Sequence, residues 1–537
     1  MDQRVIGSAE ESPLMPIARK VRRKCQQAAG KYHGICPAVT IKVTKDSWPE
    51  VGMTEQTGLC RFERENDLPS TEKDGRIALS EIVSALSFAL DLTEDAVPGH
   101  AVRSCLIGMR IGIGLGLGET QLCDLYYALL LKDIGCSSNA ARMCQILGGD
   151  DRKAKREVKT VDWTHPTLDG VRMAWRNALP GSSPWRRVQK LAWLAITQNR
   201  HNAEMIGLRC ERGADIVRKI GLSERCADAI HSLDEHWNGS GYPARSRDKS
   251  IPILARILGI AQHLDVFAGE QGRERAMETL RERSGKWFDP ELVRIAESLD
   301  RYGELWSGCG TAYERDVVMD MEPGTMRMIA ADQVDRVCEA FADVVDAKSS
   351  YTYRHSLGVT EVADGIASQL GLSELRRQLI HRAALLHDLG KLRVPNSILD
   401  KPGKLDDAEW LVMRKHPALS QQILERIASF GPIARIAGRH HEKLDGSGYP
   451  LRLKGEDLSL EDRVVGLADF YGALSEDRPY RKGMPAEVIF AILRKEVPVK
   501  FDAQCFEALS ALVEQQTASL VVAPSKAEAQ ELTPICA

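Results

Sequence analysis

The sequence predicts an all-α protein, two tandem helical bundles of which the first is a degenerate version of the second, behind a short mixed N-terminal region. Three observations predict it. Apolar residues recur at three and four positions along most of the 537-residue chain, and sustained alternation is hard to find. Gly and Ser-Pro clusters punctuate the apolar stretches. Blocks from the first half return in the second at fixed offsets.

In chain order, residues 1–74 form an extension of unread role, where AVTIKV has the look of a short strand. Residues 75–310 make the first bundle, 311–334 a linker, 335–515 the second bundle and 516–537 a loose tail. The glycine-laced IGMRIGIGLGLG reads as a packed helix. Over Tyr353–Leu370, Val359, Val362, Ala363, Ile366 and Leu370 share one helical face. Ser373 stands where it can cap the next helix, and Asp406 with Glu409 and Ser459 with Asp462 have capping-box spacing.

Composition excludes several classes. The chain is 43% hydrophobic and 27% charged with a net charge of −3, so nothing favours a nucleic-acid polymer or an anionic membrane as partner. No apolar run approaches the ~20 residues that span a bilayer. The start, MDQRVIGSAEES, lacks the basic and apolar regions of a signal peptide. Thirteen cysteines without paired spacing read as reduced, mostly buried thiols, and a cytoplasmic protein is expected.

The repeat is the most informative feature. His100 and His355 lie 255 positions apart, as do Lys132 and His387. NGSGYP at 238–243 matches DGSGYP at 445–450 at an offset of 207, and ARILGIAQ at 255–262 matches DRVVGLAD at 462–469 at the same offset. The first copy therefore carries about 48 extra residues around Val158–Arg209.

In the second copy His355, His387, Asp388, Lys391, His416, His440, His441, Asp445 and Asp469 stand out. A lone histidine on an apolar helix face is more often a hydrogen-bonded core residue than a ligand. Direction changes that reading. His355 lies on the stripe of Val359 and Val362, His440 and His441 continue the face of Ile433, Ile436 and Ala437, and Asp469 follows Val465 by four. Ionisable groups aimed into a helical core cost several kcal/mol unless they are paired or bind a metal. Five imidazoles and two carboxylates have no basic partners of matching number, so a metal site satisfies them most simply. Imidazole and carboxylate without cysteine fit iron or manganese better than structural zinc. Seven ligands exceed what one catalytic ion uses, whereas two divalent ions bridged by Asp388 would use them all. Such a pair generates a bridging hydroxide and clamps an in-line phosphoryl displacement.

HDLGK, the HHE doublet, DGSGYP and RPYR together resemble the HD-GYP subgroup of HD-domain phosphohydrolases, over roughly 335–511 and in degraded form over 77–268. The resemblance implies an all-helical phosphodiesterase that hydrolyses cyclic di-GMP to the linear dinucleotide or GMP, some members preferring the mixed GMP–AMP dinucleotide. It places His355, His387, Asp388 and Asp469 on one metal, and Asp388, His416, His440 and His441 on the other. Lys391 falls where the family sets a lysine on the scissile phosphate, making Asp388 and Lys391 the catalytic pair. Arg478 and Arg481 would grip substrate phosphates, and Tyr449 would border a guanine. Asp445 could equally be a turn residue. Members with a third metal carry a glutamate where this chain has Tyr351, so a binuclear centre is expected. The alternatives are a hydrolase for another nucleotide, or a receptor without turnover.

The first copy has lost this chemistry. Lys132 replaces His387, Arg209 replaces His416, Leu233-Asp234 replace the His doublet, Gln262 replaces Asp469 and Cys136 replaces Lys391. A lysine in the pocket repels a cation. The first bundle is expected to pack on the second or to form a homodimer surface, in preference to binding a ligand through its retained GSGYP.

Overall fold

The structure, a computed structural model, describes residues 76–94, 96–147, 172, 175–179, 182–349, 354–477 and 481–522. The AVTIKV strand, Tyr351 and Arg478 lie outside these residues.

The described chain is helical apart from two strands of two residues each. After β1 (Ile77–Ala78) the first bundle comprises α1 (Leu79–Thr93), α2 (His100–Leu115), α3 (Glu119–Leu131), α4 (Ala140–Leu147), α5 (Pro184–Ile220), α6 (Glu224–His231), α7 (Ile253–Gln271), α8 (Arg273–Glu282), α9 (Pro290–Arg301) and α10 (Glu314–Asp320). After β2 (Met328–Ile329) the second comprises α11 (Ala331–Asp346), α12 (His355–Gln369), α13 (Glu374–Leu386), α14 (Asn396–Leu399), α15 (Asp407–Met413), α16 (His416–Leu424), α17 (Gly431–Arg439), α18 (Leu460–Ser475), α19 (Ala486–Glu496) and α20 (Ala503–Val522).

The expected faces pack as written. Val359, Ala363 and Ile366 are fully buried, with Val362 half-buried beside them. The apolar glycine-laced segment is α2, where Gly108 and Gly112 let the helix approach Leu129 and Leu125 of α3 closely; a Cβ on either would lie 2.6 Å from those side chains. The Asp406–Glu409 and Ser459–Asp462 boxes both close through side-chain bonds to the N3 amides. Ser373 occupies its cap position without a side-chain bond. The described cysteines are mostly buried.

Two segments differ from expectation. Residues 311–334 are not a bare linker: Val318 of α10 is buried, Glu314 pairs with Arg103 at 3.4 Å, and Glu322 accepts from Ser80 at 2.7 Å. Helix α20 continues to Val522, past the expected start of the tail.

The described residues form one compact unit, and the two copies are arranged as an internal pseudo-dimer. Strands β1 and β2 pair antiparallel, Ile77 opposite Ile329, and each leads into the first helix of its own bundle. Helix α1 then packs on α16 and on the 3-10 turn Leu389–Arg393, while α11 packs on α5 and on the turn Cys136–Asn139. Across this surface Glu81 accepts the Ala428 N–H at 2.7 Å, Arg426 covers the Phe88 ring at 4.5 Å, and Lys219 pairs with Asp343 at 2.7 Å. The first bundle thus buttresses the turn that follows His387 and Asp388 and carries Lys391, and the helix that opens with His416.

Candidate metal centre

Each predicted ligand sits at a helix end or on an inner helix face. His355 opens α12, whose N-terminal amides are held by a buried carboxylate: Asp346 accepts the Ser356 N–H at 3.0 Å. His387 and Asp388 follow the last turn of α13. His416 opens α16, His440 and His441 close α17, and Asp469 lies on the buried face of α18. Gly390 allows the two halves of the site to meet, because a Cβ there would lie 2.1 Å from the His416 carbonyl oxygen.

The fold brings all seven together in two groups. His355 Nε2 lies 3.4 Å from Asp469 Oδ1 and 3.6 Å from Asp388 Oδ2, and His387 Nε2 lies 3.6 Å and 3.4 Å from the same two oxygens. The other Asp388 oxygen, Oδ1, faces His416 Nε2 at 3.3 Å and His440 Nε2 at 3.9 Å. His416 and His440 present their Nε2 atoms to each other at 3.2 Å, and His441 Nδ1 lies 3.5 Å from Asp469 Oδ2. Two donors ~2.1 Å from one ion at right angles are ~3 Å apart, so these separations suit shared ions. Asp388 turns one oxygen to each group.

Outer contacts set the imidazole tautomers. Nδ1 of His387, His416 and His440 faces the carbonyls of Ala384, Met413 and Ala437 at 2.7, 2.8 and 2.6 Å. Nδ1 of His355 faces Glu476 Oε2 at 2.8 Å. With the proton held at Nδ1, each ring offers the Nε2 lone pair to the centre. His355 Nε2, His387 Nε2 and Asp388 Oδ1 are buried and make no hydrogen bond within the protein. That is the signature of donors awaiting a cation.

The electrostatics agree. Burial alone would lower His387, but Asp388 and Asp469 outweigh it and lift the imidazole to about 10. Burial opposes ionisation of Asp388 and Asp469 as well, yet the surrounding imidazoles and, for Asp388, Lys391 hold both far below the usual carboxylate range. His440, buried and beside His387, drops to about 3. The pocket thus demands positive charge on its carboxylate side and holds neutral imidazole on the other. Both conditions suit a pair of divalent ions, and the donor set fits them.

The remaining predicted residues separate. Lys391 donates to Asp388 Oδ2. Tyr449 stacks at a tilt on His441 with ring centroids 4.8 Å apart, and burial together with the Asp469 and Asp388 charges pushes its phenol up. Arg481 instead spends its guanidinium on the carbonyls that end α18, those of Ala473, Leu474 and Glu476. Asp445 is exposed and bonds the Ser447 amide and hydroxyl at 2.9 and 2.6 Å, which makes it a turn residue.

Two residues escaped the sequence reading. Glu476 lies just past α18, seven residues after Asp469, a spacing that could have linked them. Glu442 of the HHE triplet is buried and accepts the amides of Leu451, Arg452 and Leu453 at 2.6, 3.1 and 3.0 Å, fixing the GYP loop. Gly448 packs so closely beneath that loop that a Cβ would meet Glu442 Cα at 2.4 Å.

The first copy retains the frame without the donors. Gly135 meets the Arg209 carbonyl as Gly390 meets that of His416, which fixes the alignment of those two positions. Glu235 holds its GYP loop by the Ala244 amide at 2.6 Å, a structural reason for the retained motif. In the pocket, Lys132 is fully buried on Asp133, and Arg209 pairs with Asp234. Asp265, at the position of Gly472, takes the place of Glu476 on His100 Nδ1 at 2.7 Å. Glu94, Asp133 and Cys136 also cluster here, but Arg209 already donates to the Cys136 sulfur at 3.6 Å. Protein cations stand where the second copy would take metal.

Comparison with known proteins agrees with this organisation. The family described as HD domain matches residues 189–292 and again 327–505, once in each copy. The 3'3'-cGAMP-specific phosphodiesterase 3 of Vibrio cholerae is 43% identical over 432 residues, covering 80% of this chain and 94% of the relative. The cyclic di-GMP phosphodiesterase response regulator RpfG of Xanthomonas campestris is 43% identical over 155 residues, 28% of this chain and 40% of that protein. The crystal structure of a cyclic GMP-AMP-specific phosphodiesterase of V. cholerae, V-cGAP3, superposes with a TM-score of 0.57 at 39% identity, covering 82% of this chain and 98% of that one. With the motifs of its second copy, the chain belongs to the HD-domain family, in the HD-GYP subgroup.

Proposed function

We propose that the second bundle is a metal-dependent phosphodiesterase that opens a cyclic dinucleotide, with 3'3'-cGAMP preferred over cyclic di-GMP. The observation that carries the chemistry is the seven-donor pocket in which Asp388 offers one oxygen to each half. The sequence alone put cyclic di-GMP first. The relative that matches across 94% of its own length is specific for the mixed dinucleotide, and this moves the preference.

One ion would be held by His355, His387, Asp388 and Asp469, and the other by Asp388, His416, His440 and His441, with iron or manganese suited to this donor set. Such ions, when bound, acidify a water and neutralise the phosphate. Lys391, beside Asp388, is placed to meet charge that develops on the phosphate and leaving oxygen. Tyr449 would border a base, and Arg478 a phosphate.

The test is product-resolved turnover. Reduced protein loaded with iron or manganese is given 3'3'-cGAMP and cyclic di-GMP in parallel. Conversion of the mixed dinucleotide to its linear form, faster than that of cyclic di-GMP, is expected. Intact dinucleotide recovered from loaded protein would identify a receptor instead.

A further inference from the structure

We propose that Arg414 binds the second, non-scissile phosphate of the substrate and that Trp410 and Tyr449 hold it in place for this. The inference rests on the cyclic dinucleotide reading above, since only such a ligand brings two phosphates on one small ring.

Arg414 lies between α15 and α16, two residues before the ligand His416. Its guanidinium lies 5.4 Å from the centroid of Tyr449 and 5.6 Å from that of Trp410, and Tyr449 leans on His441 at 4.8 Å. The charge therefore stands within about 10 Å of the His441 ring. It is exposed, and among the described residues its guanidinium makes no hydrogen bond or ion pair. Two ring faces position it while its donor fork stays unspent, the state in which an arginine best takes a phosphate.

The ledge beneath it is built outward. Helix α15 buries none of its residues, Trp410 is 43% exposed and Leu411 65% exposed. The Asp406–Glu409 capping box nevertheless fixes the helix at its start. The helix leaves part of an indole exposed beside the guanidinium, a surface that a ligand would cover.

At the 207-residue offset Tyr449 corresponds to Tyr242, whereas Arg414 and Trp410 map onto the stretch in which the first copy carries its extra residues, within the single helix Pro184–Ile220. The tyrosine is kept with the loop, and Tyr242 is covered by Arg245 instead, at 5.4 Å. Arg481 is committed to the end of α18 and leaves this task open.

The experiment compares 3'3'-cGAMP, which has two phosphates, with bis(p-nitrophenyl) phosphate, a diester with one. Native protein, Arg414→Ala, Arg414→Lys and Trp410→Ala are assayed with both. For Arg414→Ala, kcat/KM on the dinucleotide is expected to fall about tenfold to a hundredfold more than on the single-phosphate diester, chiefly through KM. Arg414→Lys should lose less, and Trp410→Ala should shift in the same direction as Arg414→Ala. Equal losses on both substrates, or none on either, would overturn the assignment while leaving the phosphodiesterase reading standing. Native protein that cleaves the single-phosphate diester but no cyclic dinucleotide would overturn that reading and this inference with it.

Discussion

Glu476 Oε2 lies 2.8 Å from Nδ1 of His355, reaching back from the end of the helix that supplies Asp469. This helix and the residue just past its end thus supply both a ligand and the group that orients another ligand. Gly472 lets this helix lie close to α12, since a Cβ there would meet Val359 Cγ2 at 3.0 Å. Glu476→Ala should weaken metal binding about 10–100-fold, the usual effect of losing an outer partner. Glu476→Gln keeps an acceptor and should lose less. Competition with a calibrated chelator reads both, and unchanged affinity in the alanine variant would contradict the role.

Gly390→Ala should damage the centre through His416. The new methyl would fall 2.1 Å from the His416 carbonyl oxygen, a backbone atom that must move with its helix. A destabilisation of about 1–3 kcal/mol is expected in urea titrations, together with loss of metal from the His416, His440 and His441 group. Full metal content at native stability would refute the contact.

Lys132→Met tests the pocket of the first copy. Its ammonium is buried on Asp133, and removing it leaves a buried carboxylate without that partner. A loss of about 3–5 kcal/mol is expected, with metal content unchanged. Higher metal content would mean that the first copy becomes a site once its own cation is gone.

Asp91 offers a pH test away from the metal centre. It accepts the Gly99 and Ala101 amides at 2.9 and 3.0 Å, yet burial raises its carboxyl from 3.8 to about 7. A folded pKa above the unfolded one means that the folded chain binds more protons between those values, so this group takes stability away as pH rises through them. Relative to Asp91→Asn, the native protein should lose stability between pH 4 and pH 7 and change little above about pH 8. A difference constant from pH 5 to pH 8 would contradict this.

The seven donors were legible because histidine and aspartate on apolar helix faces are conspicuous, and the repeat frame holds to the residue, as Gly135 and Gly390 show. The pairing of β1 with β2 was not, since two-residue strands carry no periodicity. Glu476 lies beyond its helix, so its approach to His355 depends on how α18 ends. Arg481 matched a phosphate-gripping position, but its guanidinium meets the carbonyls left open at a helix C-terminus, which motif spacing does not reveal.

The most direct measurement is metal bound per chain in reconstituted protein, native and Asp388→Ala, by elemental analysis. About two ions in the native chain are expected, both lost or greatly weakened in the variant because its carboxylate faces both groups. Three or four ions per native chain, or a variant that keeps both, would contradict a single carboxylate-bridged pair confined to the second copy.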